Sequence, residues 1–180
     1  MRAYERLLKY VKCPTASSEE TGTTPSTPGQ WELARVLVDE LRELGLENPG
    51  VNEHCIVTAW LPAAPGHEDA PALGLLAHMD TSPAFSGENV RPILHENYDG
   101  GDIALPQGGR VIKAADFPFL AGLKGKTLIT ADGSTLLGAD DKAGVAEIMT
   151  LCERLAAGDI PHGRLCVAFT PDEEIGEGPD

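Results

Sequence analysis

Three short apolar runs constrain this chain most, because each stops on an imidazole or on carboxylates. Ala72-Leu73-Gly74-Leu75-Leu76-Ala77 leads into His78-Met79-Asp80. Leu136-Leu137-Gly138-Ala139 leads into Asp140-Asp141-Lys142. Leu165-Cys166-Val167-Ala168-Phe169-Thr170 leads into Pro171-Asp172-Glu173-Glu174. Apolar runs this short, bounded by turn residues, read as buried strands. In open α/β sheets, ligands bind beyond the carboxyl ends of the strands. Three runs that end in acid or imidazole therefore predict one shared metal site. The expected fold is α/β, a mixed, mainly parallel sheet flanked by helices.

The elements between these runs support that class. Tyr4, Leu7, Leu8 and Val11 recur at helical spacing and predict a helix over 3–11, stopped by Pro14. Residues 15–26 have no apolar period and read as a loop. Thr27-Pro28-Gly29-Gln30 predicts a helix start, with Thr27 as cap, Pro28 in the first turn and Gln30 completing a capping box. Trp31, Ala34, Val38 and Leu41 line the face that follows, and Gly45 ends it. A strand is expected over 55–61, and loops with a hairpin or two over 81–125. A strand at 126–130 should turn at Asp132-Gly133 and pair with 135–137. Asp140 or Asp141 can cap a helix over 142–157, and 165–170 returns as a strand, giving a βαβ unit.

Length allows one domain, since 180 residues are enough to bury a core. A net charge of −14 argues against nucleic acid or an anionic membrane as partner. No apolar run approaches the ~20 residues of a membrane span, and the charged stretch 1–12 lacks the apolar centre of a signal peptide. The four cysteines form no C-x-x-C pair, so a thiolate zinc site is not expected. Cys152 and Cys166 read as buried thiols, and a reducing, cytoplasmic compartment fits.

Each acidic pattern has a chemical reading. His78 can ligate a metal through one ring nitrogen while Asp80 holds the other, fixing the tautomer. Asp140 is the carboxylate chosen to bridge two ions; Lys142 either balances local negative charge or is solvated. Glu173 and Glu174, read as neighbours in an extended segment, should point opposite ways. One can bind metal, and the other can take a proton from an attacking water. Any one of these patterns is common by itself. Together they crowd carboxylates that repel one another unless cations sit among them, and such hard donors suit zinc, manganese or cobalt.

These residues resemble a known family. His78-Met79-Asp80-Thr81-Ser82-Pro83, Ser86-Gly87-x-Asn89-Val90-x-Pro92, Asn97-Tyr98-x-Gly100-Gly101-Asp102-Ile103, the stretch Thr135 to Gly144, and Phe169 to Gly176 are similar to the peptidase T family, the tripeptide aminopeptidases of the di-zinc M20-type metallopeptidases. The resemblance implies His78 as a ligand of one zinc and Asp80 as its orienting carboxylate. It implies Asp140 as the bridging ligand, followed by a cis peptide. It implies Glu173 as general base and Glu174 as ligand of the second zinc. The substrate would be a small peptide, the full-length parent a homodimer, and cobalt or manganese could replace zinc. Another amidohydrolase of the superfamily (dipeptidase, deacylase or carboxypeptidase) and a non-catalytic metal-binding or interaction module are the competing readings.

The sequence departs from the family in one respect. The family's site needs a further carboxylate and a further histidine, and residues 1–180 supply neither, leaving one ligand short at each metal. The smaller lid and dimerisation domain is also absent. The chain is therefore expected to be the N-terminal part of the catalytic domain, weak in zinc binding and nearly inactive by itself. Its last strand is expected to lack neighbours and to expose an apolar edge.

Overall fold

In a computed structural model, residues 1–158 and 160–177 are described. The centre is a four-stranded sheet built from β1 (Glu47–Val51), β2 (Val57–Leu61), β3 (Leu73–His78) and β8 (Leu165–Thr170), in the order β1-β2-β8-β3. β8 runs parallel to β3 in register from Leu73↔Leu165 to His78↔Thr170, and antiparallel to β2. β1 and β2 are also antiparallel. The sheet is thus mixed, and the expected parallel majority is not found. The reason is local. Asn52 turns the chain, its Oδ1 accepting the N–H groups of His54 and Ile56, and Cys55 sits at φ 63. This turn sends β2 back along β1. It also delays the second strand to Val57, two residues later than the sequence predicts.

One face of the sheet is dry. Val57, Ala59, Val167 and Phe169 are fully buried and meet Leu33, Leu37 and Leu41 of α2 (Pro28–Glu43) and Val145 and Met149 of α3 (Ala139–Ala156) in one cluster. Burial of each such Leu or Phe stabilises the fold by roughly 1.5–3 kcal/mol. α1 (Ala3–Tyr10) packs on α3. Its inward side carries Arg6, which donates to Glu40 of α2 (2.5 Å) and Glu153 of α3 (3.0 Å), while the Tyr10 hydroxyl donates to Glu40 (2.6 Å). The guanidinium stays charged, and these partners offset the cost of burying it.

Several elements differ from the sequence reading. Thr27 does precede α2, but no side chain caps it, and Gln30 does not close a capping box. Its amide is drawn to Asp172 instead. Segment 135–137 is not a strand. β7 (Leu128–Thr130) pairs with β4 (Ile93–His95), and the Leu136 N–H donates to Ser86 O at 2.8 Å. Asp132 Oδ1 accepts from both the N–H and the hydroxyl of Ser134, which closes the turn on itself. The parallel partner of β8 across α3 is consequently β3. β5 (Ile103–Ala104) and β6 (Val111–Ile112) supply the expected hairpin.

β8 has a neighbour on each side, so it is not the exposed edge that was expected. The apolar edge lies on β3, where Leu73 is 55% and Leu76 68% exposed. The reading of β3 as a buried strand fails with it. Cys152 is buried, whereas Cys166 is half-buried. Among the described residues, no helix is long and apolar enough to cross a membrane.

Candidate metal centre

The parallel pairing of β3 with β8 sets the site. His78, the last residue of β3, lies beside Thr170, the last of β8. The chain then continues from both strands at one sheet edge. After β8 it enters a single 3-10 turn, Glu173–Ile175, preceded by Asp172 at φ 55 and closed by Gly176 at φ 77. The two glutamates are therefore in a turn and not in an extended segment.

Asp140 arrives from a third direction. Gly138 at φ 76 turns the chain into α3, and Asp140 and Asp141 keep non-helical angles. The peptide between them is cis. Asp141 Oδ1 accepts the Gly144 N–H at 3.0 Å and so caps the regular part of the helix. Asp140 takes no part in that cap, and its side chain is 85% exposed. Gly138 is required here: its φ is positive, and a Cβ would lie 3.0 Å from Thr81 Cγ2.

The five residues singled out from the sequence come together. His78 Nε2 lies 3.0 Å from Asp140 Oδ1 and 3.7 Å from Glu173 Oε2. His78 Nδ1 lies 3.1 Å from the Asp80 carbonyl oxygen and 3.3 Å from Asp80 Oδ1. A proton on Nδ1 satisfies both and leaves Nε2 facing the acids. Donor atoms of His78, Asp140 and Glu174 all lie within 4.8 Å of one another. Among the described residues no other group of three such side chains meets that spacing, and His54, His67, His95 and His162 take no part.

Asp80 does more than face the imidazole. It is fully buried, and its Oδ1 and Oδ2 accept the N–H groups of Glu173 (3.0 Å) and Glu174 (3.1 Å). Burial works against its ionisation. The His78 contact and the two N–H groups outweigh burial and hold it below the usual carboxylate range. For His78 the balance is similar. Burial favours the neutral ring, but Asp80, Asp140 and Glu173 raise it to about 9. Burial first, then the charge of Asp140, pushes Glu174 up. Lys142 is not solvated. It is 1% exposed and donates to Cys13 O at 2.8 Å. Burial brings its ammonium down to about 8, against the pull of Cys13 and Asp80.

This donor set fits a divalent cation. Ligands of a tetrahedral ion with ~2.1 Å bonds stand about 3.4 Å apart, and the His78–Asp140 spacing of 3.0 Å is close to that. One imidazole and two carboxylates are hard donors of the kind zinc, cobalt and manganese accept. A cleft opens beside the cluster between Ser17–Glu20 and Ser82–Ala84, with Glu174 among its walls. The 15–17 segment is laid there by hydrogen bonds from Ser17 N–H to Thr81 O and from Thr81 N–H to Thr15 O.

Sequence reasoning missed three residues around the turn: Asp172, Ser26 and Gln30, all buried and mutually bonded. The buried amide of Gln30 was mistaken for a cap, and no spacing along the chain joins it to Asp172.

A mixed sheet with helices packed on it, with imidazole and acids at the carboxyl edge of a parallel pair, is a fold that solved aminopeptidase structures share. The aminopeptidase PepT from Bacillus cereus superposes with a TM-score of 0.66 at 22% identity, over 97% of this chain and 37% of that one. By sequence, the chain is similar to peptidase T over nearly all its length. It is 55% identical over 177 residues to peptidase T of Geobacillus thermodenitrificans, covering 97% of this chain and 43% of that protein. It is 57% identical over 178 residues to peptidase T of Desulfitobacterium hafniense, covering 98% and 43%. The chain thus spans less than half the length of these relatives. No protein-family model matches it.

Proposed function

We propose that these residues are the N-terminal part of the catalytic domain of a zinc-dependent aminopeptidase that releases the N-terminal residue of tripeptides. The observation that carries this reading is the convergence of His78, Asp140 and Glu174, with donor atoms within 4.8 Å, in a chain similar to peptidase T. His78, Asp140 and Glu174 would hold the metal, Asp140 in the bridging role that the family resemblance implies. A divalent ion held there, zinc ahead of cobalt or manganese, supplies Lewis acidity toward the scissile carbonyl and the attacking water. Asp80 fixes the His78 tautomer and the Glu173–Glu174 backbone. Glu173, its side chain 61% exposed at the cluster, takes the proton of the water and delivers it to the leaving amine. Glu19 and Glu20 line the neighbouring cleft, and their charge suits the ammonium of a peptide N-terminus.

On the family resemblance, a complete site would need two protein ligands at each of two ions besides Asp140. His78 and Glu174 provide one apiece. The missing pair, the lid and the dimerisation surface would lie in the part of the relatives that this chain does not cover. A homodimer is proposed for the whole protein on the family resemblance alone. Four free thiols support a reducing compartment, and the cytoplasm is the one proposed.

The test uses the whole protein. Tripeptides should be cleaved after the first residue, the activity should vanish with a chelator, and zinc should restore it. Cleavage confined to dipeptides or N-acyl amino acids would replace the tripeptidase reading. In a calorimetric titration, tight binding of two zinc ions by residues 1–180 alone would refute the partial site.

A further inference from the structure

Asp172 is fully buried, directly precedes the proposed base, and has no part in the chemistry above. Its carboxylate receives three hydrogen bonds and faces no cation among them. Ser26 N–H reaches Oδ2 at 2.7 Å, Ser26 Oγ reaches Oδ1 at 2.5 Å, and Gln30 Nε2 reaches Oδ1 at 2.6 Å. The contact is returned, since Asp172 N–H donates to Gln30 Oε1 at 3.2 Å. Asp172 O accepts from Glu177 N–H at 3.1 Å. Gln30 is fully buried too, in the first turn of α2. A buried carboxylate is costly wherever apolar packing would serve. Here it locks one residue, in a left-handed conformation, to a helix on the far side of the turn. Asp80 grips the next two amides from the site side.

We propose that Asp172 and Gln30 are a positioning pair that, through the backbone, fixes the directions in which Glu173 and Glu174 enter the metal site. The inference rests on the proposed function for its activity readout and on geometry for the rest. A misplacement of about 1 Å in a reacting group can cost ~100-fold in rate, so the anchor should be read in kcat.

The experiment is a double-mutant cycle in the whole protein. Asp172→Asn sets a donor against the donors of Gln30 and Ser26. Gln30→Glu sets two carboxylates face to face. Together the substitutions restore the match, because the Glu at position 30 accepts from both the N–H and the side-chain amide at position 172. Each single variant should lose about 10–100-fold in kcat with little change in KM, and about 10–100-fold in zinc affinity by calorimetry. The double variant should regain most of both. Ser26→Ala removes one hydroxyl and keeps the Ser26 amide; should a single variant fail to fold, this one should still lose about tenfold in kcat. Singles that keep kcat and zinc affinity per folded molecule, or a double variant no better than they are, would overturn the pair. A wild-type protein without peptidase activity would sink the proposed function instead, and the zinc arm of the cycle would still decide on the pair.

Discussion

At the residue scale, the site rests on hydrogen bonds to backbone amides, which a sequence does not display. The H-x-D pattern made His78 and Asp80 legible, because a ring nitrogen that ligates a metal needs its other nitrogen held. Nothing in that pattern announces that Asp80 also accepts the N–H groups of residues 173 and 174, over ninety positions away. Asp80→Asn tests this second role. Asparagine keeps one acceptor, but its amide nitrogen must face one of the two N–H groups, and a buried unpaired donor costs about 1–3 kcal/mol. In the whole protein, zinc affinity and kcat/KM should each fall about 10–100-fold; unchanged values would leave Asp80 no orienting role. The thiols give a second expectation. Burial pushes Cys55 up to about 12 and Cys152 up to about 11. The thiolate is the nucleophile, so at pH 8 neither should be alkylated by iodoacetamide while Cys166, half-buried, reacts. Peptide mapping by mass spectrometry reads this directly. Modification of Cys55 as fast as Cys166 would mean that the 52–56 turn opens readily.

At the scale of the element, helices were legible and strand partners were not. The apolar period of α2 and the Gly45 stop are local properties, and both are found. Pairing is not local. Leu128–Thr130 was assigned the nearest candidate partner, 135–137, yet it pairs with a strand more than thirty residues earlier. β1 was not expected from the sequence: Asn48, Pro49 and Gly50 are residue types depleted in strands, and its pairing to β2 overrides that composition with a register shift between Glu47 and Gly50. Gly29 shows how tertiary packing reverses a local rule. By helix propensity, Gly29→Ala should stabilise α2 by about 1 kcal/mol. A Cβ at this position would fall on the carbonyl oxygen of Pro14. That backbone cannot yield easily, since Thr15 is tied to both Met79 and Thr81. Overpacking against fixed backbone costs about 3 kcal/mol, which outweighs the propensity gain. Urea denaturation of Gly29→Ala should show a loss of about 2 kcal/mol net, and a gain in stability would show that the 13–15 segment moves freely.

At the scale of the molecule, the question is what the sheet leaves uncovered. The unbroken apolar run Ala72–Ala77 was read as a buried strand. In the fold, α3 covers only one side, and β3 hydrogen-bonds to β8 alone among the described strands. Leu76 projects from the face opposite the helices, and Leu73 lies at the strand's open start; both are largely exposed. An edge strand that joins free N–H and C=O groups to apolar side chains is a template for pairing with another chain. A net charge of −14 opposes association in general, but charge at long range is screened within about 8 Å at physiological salt, whereas strand pairing acts at contact. Residues 1–180 as an isolated polypeptide should therefore self-associate at tens of micromolar, more strongly as salt is raised. Leu73→Lys with Leu76→Lys should return the polypeptide to monomer without lowering its melting temperature, because neither side chain is buried. Sedimentation velocity at low and high salt separates the outcomes. A wild-type polypeptide that stays monomeric in high salt would mean that β3 is protected, and its apolar side chains would then need another explanation.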